Sequence, residues 1–254
     1  TDEAISSDAV HDIKNPMLTT ALQRKQLDYV QAMNRDLLKS TGGDNEVEGV
    51  IQSYEQAFQM QGSVPRVMDI SNESKATLDL YGVGNGATDS FGRQCLLARR
   101  FAEAGVRFIE IAHGGWDHHS ALKARLAKGC GETDKPIAGL LTDLKQRGLL
   151  KDTLIIWGGE FGRTPDGRSG DGRNHNGKGY TMWMAGGGVK GGTSYGSTDD
   201  YGHVAVDKPM HIHDLHATIL ASLGLDHEKL TYQYAGRPFR LTNVSGKVAK
   251  EIFA

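Results

Sequence analysis

The sequence predicts an α/β fold, with a sheet-bearing core behind a mainly helical amino-terminal part. Two observations carry the sheet. VRFIEIA, Val106 to Ala112, is an apolar run of strand character. A helical repeat at Ile137, Leu140, Leu141 and Leu144 follows it, and then a second apolar run from Thr153 to Trp157. Strand, crossover helix and strand make a βαβ unit, whose strands run parallel through a right-handed crossover. The second run is β-branched at Thr153, Ile155 and Ile156 and stops at Gly158-Gly159, the pattern of a strand buried on both faces. A third observation places the helices. Through the first hundred residues apolar side chains recur at helical rather than strand spacing.

In chain order, Asn15-Pro16 is a helix-start signal, and Leu18, Leu22, Tyr29, Met33 and Leu37 mark one face of the helix it opens, closed by Gly42-Gly43. Val47, Val50, Ile51, Tyr54, Ala57 and Phe58 mark a second helix, ended by Gly62 and Pro65. A short helix spans about Ser74 to Tyr81. Another carries Phe91, Cys95, Ala98 and Ala102 and stops at Gly105. After the βαβ unit, with Gly148 stopping its helix, a glycine-punctuated loop leads to a strand from Tyr180 to Ala185 and then Gly186-Gly187-Gly188. Asp214 caps a helix through Leu215, Ile219, Leu220 and Leu223, ended by Gly224. The tail from Gly236 to Ala254 reads as an edge strand or cover.

Composition narrows the function classes. Of 254 residues, 29 are Lys or Arg and 31 Asp or Glu, so no strong field favours nucleic acid or an anionic membrane. No apolar run approaches the ~20 residues of a membrane span. Of 33 glycines, fifteen fall between Gly158 and Gly202, which points to site-forming loops. Cys95, at an apolar helical position, and Cys130, in a Gly-Cys-Gly loop, leave the redox compartment open.

Nine of the ten histidines lie at or after His113, and only His11 precedes them. Asp117, His118 and His119 follow the first strand, Glu160 follows the next, and His175 precedes a third. Carboxylates and imidazoles at strand ends form a ligand set suited to zinc, manganese or a similar divalent ion. On that reading Asp117, His119, Glu160 and His175 are the metal ligands. Arg163 either clamps an anionic substrate group through its planar fork or makes a structural ion pair. His211, His213 and His216 do not share one helical face and read as capping or packing residues. Gly192-Thr-Ser-Tyr-Gly196 matches the Gly-x-Ser-x-Gly elbow, but neither a strand before Ser194 nor a helix after it is predicted. No Walker loop, dinucleotide fingerprint or cysteine zinc pattern is present.

The stretches CLLARRFAEAGVRFIEIAHGGWDHH, DLKQRGLLKDTLIIWGGEFGRTP, NHNGKGYTMWMAGGGVKGGTSYGSTDDYG and HIHDLHATILASLGL resemble the carboxyl-terminal half of the alkaline phosphatase and sulfatase superfamily. Within it they are most similar to a bacterial family of sulfatase-like domains of unknown function. The resemblance implies an α/β/α sandwich, with residues 1–105 a helical part packing on an alkaline phosphatase-like core of residues 106–254. It implies metal-dependent hydrolysis of a phosphate or sulfate ester of an anionic small molecule or carbohydrate. The metal would be divalent: zinc, manganese, calcium or magnesium. It puts Asp117 and His119 on a metal-binding segment, Glu160 at a position usually held by the Asp of an Asp-His pair, Phe161 in place of that histidine, and His175 on a late histidine ligand. Asp214 reads as structural. The superfamily's first metal-binding aspartate and its nucleophile lie on amino-terminal strands that this chain lacks, so it reads as a fragment of a longer protein. Export signals in similar proteins imply a periplasmic or secreted origin. The rival readings are a serine esterase using Ser194 and a non-catalytic, metal-stabilised binding module.

Overall fold

The computed structural model describes residues 13, 15–167 and 170–254; His11 lies outside them. Helix α1 (Thr20–Ser40) opens where the Thr19 hydroxyl accepts the Leu22 N–H. It begins a turn later than the Asn15-Pro16 signal, because Asn15 closes a local turn instead, taking the N–H groups of Met17 and Leu18. Helix α2 (Asn45–Met68) is capped by Asp44 and runs through Gly62 and Pro65, where a stop was expected. Pro65 falls in its last turn, where the missing N–H forfeits a single bond. The stripe predicted on α1 turns outward: Leu22, Tyr29, Met33 and Leu37 are all exposed. The two helices meet instead through buried Gln31, whose Nε2 donates to Ile51 O, and through the Arg24–Glu55 ion pair.

Helices α3 (Lys75–Tyr81), α4 (Asp89–Glu103) and α5 (Leu122–Gln146) form the core layer. Ser74 caps α3 as expected, and Gly105 and Gly148 follow α4 and α5 with left-handed backbone. Tyr81, Phe91, Cys95, Leu96, Leu140 and Leu144 are buried together between them. Arg99 is buried in the same layer, 2% exposed, 2.7 Å from Glu73 and 2.6 Å from Glu103. Its Nε lies 2.9 Å from Asp143 Oδ2 but off the hydrogen-bond axis, an electrostatic contact only. Asp143 also accepts from Tyr81 OH at 2.9 Å, and Arg147 joins Asp143 to Glu103.

The expected α/β/α sandwich does not form. Of the described residues 46% are helical and 10% lie in strands, and among them there is no central parallel sheet. Strand β1 (Ile155–Trp157) pairs antiparallel with β4 (Trp183–Ala185), Ile156 opposite Met184. Between them the chain folds back on itself, β2 (Gly162–Arg163) pairing antiparallel with β3 (His175–Asn176). The two pairs thus nest into one long irregular hairpin. β1 is buried on one face only, since Ile155 and Trp157 pack on the core layer while Ile156 is 36% exposed. VRFIEIA is irregular, with a bend at Arg107; among the described residues its backbone joins no sheet, and Phe108 is 83% exposed. An apolar run bounded by glycine specifies extended backbone but not strand direction, and the crossover rule applies only once a parallel pair exists.

Beyond Ala185 come a hairpin of β5 (Ser197–Thr198) and β6 (Ala205–Asp207), helix α6 (Ile212–Ser222), and a hairpin of β7 (Thr231–Tyr234) and β8 (Arg237–Arg240). Asp214 completes a capping box at the start of α6, accepting the His211 N–H and, on its other oxygen, that of Lys247. The end of the tail lies along residues 188–190, where Lys190 donates to Ile252 O and Ala254 to Gly188 O. The edge or cover expected from Gly236 onward is therefore present in its last residues.

Removing one member of a buried ionic group leaves its partners charged and unpaired. Arg99→Ala should lower unfolding free energy by about 3–5 kcal/mol, read from urea denaturation. Lys75→Ala, which breaks the exposed Lys75–Asp79 pair, should cost under about 0.5 kcal/mol.

Candidate metal centre

The nested hairpin brings the candidate residues together. Arg163 and His175 stand directly opposite each other across β2 and β3. Asp117 and His119 arrive on the irregular segment after VRFIEIA, which two short turns fold, His118 N bonding Trp116 O and His119 N bonding Asp117 O. The loop before β3 clips that segment in place, with Arg173 N donating to His118 O at 3.0 Å. Gly172 packs so closely under the His119 carbonyl that a Cβ there would collide with it.

Three donor atoms converge. Asp117 Oδ1 lies 3.0 Å from His175 Nε2 and 3.1 Å from His119 Nε2, and the two ring nitrogens are 3.1 Å apart. Adjacent ligands on an ion with bonds of ~2.1 Å stand ~3.0 Å apart in an octahedron and ~3.4 Å apart in a tetrahedron. The triangle therefore has the dimensions of one face of a coordination polyhedron. Hydrogen bonding alone satisfies it poorly. If both nitrogens carry protons toward Asp117, those N–H groups oppose each other; if one does not, its lone pair faces the carboxylate. A cation at the centre satisfies all three. Asp117, His119 and His175 form the one such group among the described residues, and all three are exposed.

Arg163 Nη1 donates to the same Asp117 oxygen at 2.7 Å, while its Nη2 reaches Trp116 O at only 3.4 Å. Its guanidinium lies over the Phe161 ring, 5.5 Å from the centroid, and that ring stacks on His175 at 4.2 Å. The hydrogen bond from Arg163, and after it that of His175, holds the Asp117 carboxyl down at about 2, so this candidate ligand is ionised throughout the neutral range.

Of the four predicted ligands, Asp117, His119 and His175 meet. Glu160 is exposed in the bend before β2 and its carboxylate is not part of the group. His118, between two ligands, is 4% exposed with neither ring nitrogen hydrogen-bonded among the described residues. The sequence reading left open whether Arg163 makes an ion pair; it does, with Asp117. The part played by Phe161, in the bend before β2, went unforeseen. Ser194 lies in a loop after the Gly191-Gly192 turn, with neither the strand before it nor the helix after it that an elbow requires.

A helical layer with an appended double hairpin and an exposed Asp-His-His triangle defines a mixed helix-and-hairpin protein with a candidate metal centre. A family model described as a protein of unknown function, DUF1501, matches residues 3–253, and the chain belongs to that family. No curated protein and no solved structure matches it, so no named homologue supports the link to phosphatases and sulfatases.

If Gly172 sets the position of the His119 carbonyl, Gly172→Ala should displace the ligand segment while sparing the distant core layer. The expected result is at least tenfold weaker zinc or manganese binding by calorimetry, with an unchanged far-ultraviolet circular dichroism spectrum.

Proposed function

We propose that this chain binds one divalent ion through Asp117 Oδ1, His119 Nε2 and His175 Nε2, and that the centre serves the hydrolysis of a phosphate or sulfate ester. The observation behind the reading is the donor triangle, with edges of 3.0 to 3.1 Å. Three protein ligands with open positions are the pattern of catalytic rather than structural metal sites, which close with four. In such a centre the ion polarises the ester oxygen and offsets the charge that develops on the anion. Arg163 has N–H groups left over after its bond to Asp117, and these are placed to hold the anionic end of the substrate. Glu160, exposed in the bend before β2, stands outside this donor group. The metal is zinc, manganese, calcium or magnesium, and the two imidazoles favour the first two.

Protein purified without chelator should contain about one ion per chain by elemental analysis. Asp117→Ala and His175→Ala should each lose it, and full retention by both removes the assignment. Affinity should fall in acid as protons compete for the imidazole nitrogens. Hydrolysis of aryl phosphates or sulfates, where detected, should vanish with the ion and return when it is restored.

The serine esterase is the weaker reading, because the structure around Ser194 provides no elbow. Ser194→Ala should leave any carboxylic ester hydrolysis unchanged, and loss of activity in a folded variant would reverse that ranking.

A further inference from the structure

A cavity of about 370 Å³ opens between α5 and the β1–β4 hairpin. All three tryptophans of the chain, Trp116, Trp157 and Trp183, line it. Trp157 and Trp183 are cross-strand partners, so both rings leave the same face of the hairpin. Trp116 meets Trp157 edge to face, with centroids 6.1 Å apart and planes at 82°.

Trp116 is held from two sides. Its Nε1 donates to His113 Nδ1 at 2.9 Å, and His113 Nε2 lies 3.3 Å from a Glu132 oxygen. On α5, Gly129 leaves the room this ring occupies, since a Cβ there would come within 3.0 Å of it. With its N–H engaged, Trp116 has only its ring to offer a ligand. All three rings remain partly open.

The charge in the cavity has one sign. Asp134 lines it, exposed, and makes no ion pair or side-chain hydrogen bond among the described residues. Among the described residues, no lysine, arginine or histidine lines it. Aromatic faces carry the negative end of a quadrupole, and a carboxylate beside them adds to that potential. Such a site repels anions and attracts a weakly hydrated cation, one whose charge is spread over methyl groups that can also shed water against indole. A volume of this size admits a trimethylammonium head with several further atoms.

We propose that the tryptophan-lined cavity binds an organic cation of the quaternary ammonium class, through the indole rings and the carboxylate of Asp134. The site uses none of the candidate metal ligands, and chelator-treated protein tests it. All the tryptophan emission of the chain originates at this cavity, so binding reports directly in fluorescence. Choline and tetramethylammonium should shift or quench that emission saturably, beyond the effect of sodium chloride at equal ionic strength. The neutral isostere of choline, 3,3-dimethylbutan-1-ol, should bind at least tenfold more weakly. Asp134→Asn, a change at an exposed helical position, should raise the Kd for choline roughly fivefold to tenfold. Equal affinity for choline and its isostere, an unchanged Kd in Asp134→Asn, or no saturable response would each overturn the proposal.

Discussion

Arg99 holds a full positive charge in a layer where almost none of it reaches solvent. Burial works against that charge, and Glu103 and Glu73 outweigh it, so the guanidinium stays protonated. The same carboxylates connect the elements. Glu73 precedes α3, Glu103 ends α4, and Asp143 of α5 binds Tyr81 of α3 as well as Arg99. Such an arrangement fixes which helices face each other more than it adds net stability, because desolvation offsets much of the attraction. Burial disfavours the charged form of Glu73, yet Arg100 and Arg99 hold its carboxyl below the ordinary value. Its stabilising contribution is therefore complete at neutral pH and is lost as acid protonates it.

Everything nearer the candidate sites leans on that layer through side chains. From Arg107 to Gly115 the backbone makes no main-chain hydrogen bond to another described residue. The segment is placed instead by Ile111 against the core, by His113 edge-on to Phe91 at 5.1 Å, and by Trp116 against Trp157. A segment without a ladder is located only as well as its anchors, and its last residues carry Asp117 and His119. The clip from Arg173 and the close fit of Gly172 matter for that reason. They tie the ligand segment to the loop that delivers His175.

Several local signals in the sequence held, although the Asn15-Pro16 start of α1 and the Gly62 and Pro65 stop of α2 did not. Ser74 caps α3, Gly105 and Gly148 follow helices, and Phe91, Cys95 and Ala98 are the buried stripe of α4. Non-local pairing was not legible. Thr153 to Trp157 and Tyr180 to Ala185 were recognised as strands, but nothing in an apolar run says whether its neighbour runs parallel or antiparallel. Nor did periodicity reveal that the α1 stripe faces outward, because a stripe marks an apolar face and not the body it packs on. The convergence of Asp117, His119 and His175 was legible for a different reason. Both the expected sheet and the hairpin that forms carry the ends of these loops to one place, so the grouping survives an error in topology. Glu160 depended more closely on the expected strand direction.

The exposure of the triangle constrains what kind of centre it can be. With side-chain exposures of 63% for Asp117, 51% for His119 and 49% for His175, little of any affinity comes from a dry, low-dielectric setting. It rests on the number of donors and on their being positioned before the ion arrives. Arg163 and Phe161 do that positioning, the first by holding Asp117 ionised and aimed, the second by stacking on the His175 ring. Arg163 also shares the very oxygen that faces the two imidazoles. A carboxylate oxygen has two lone pairs, so it can serve the arginine with one and an ion with the other. An ion held there would add its charge to that of the guanidinium on the same carboxylate, a combination that would favour an anionic group.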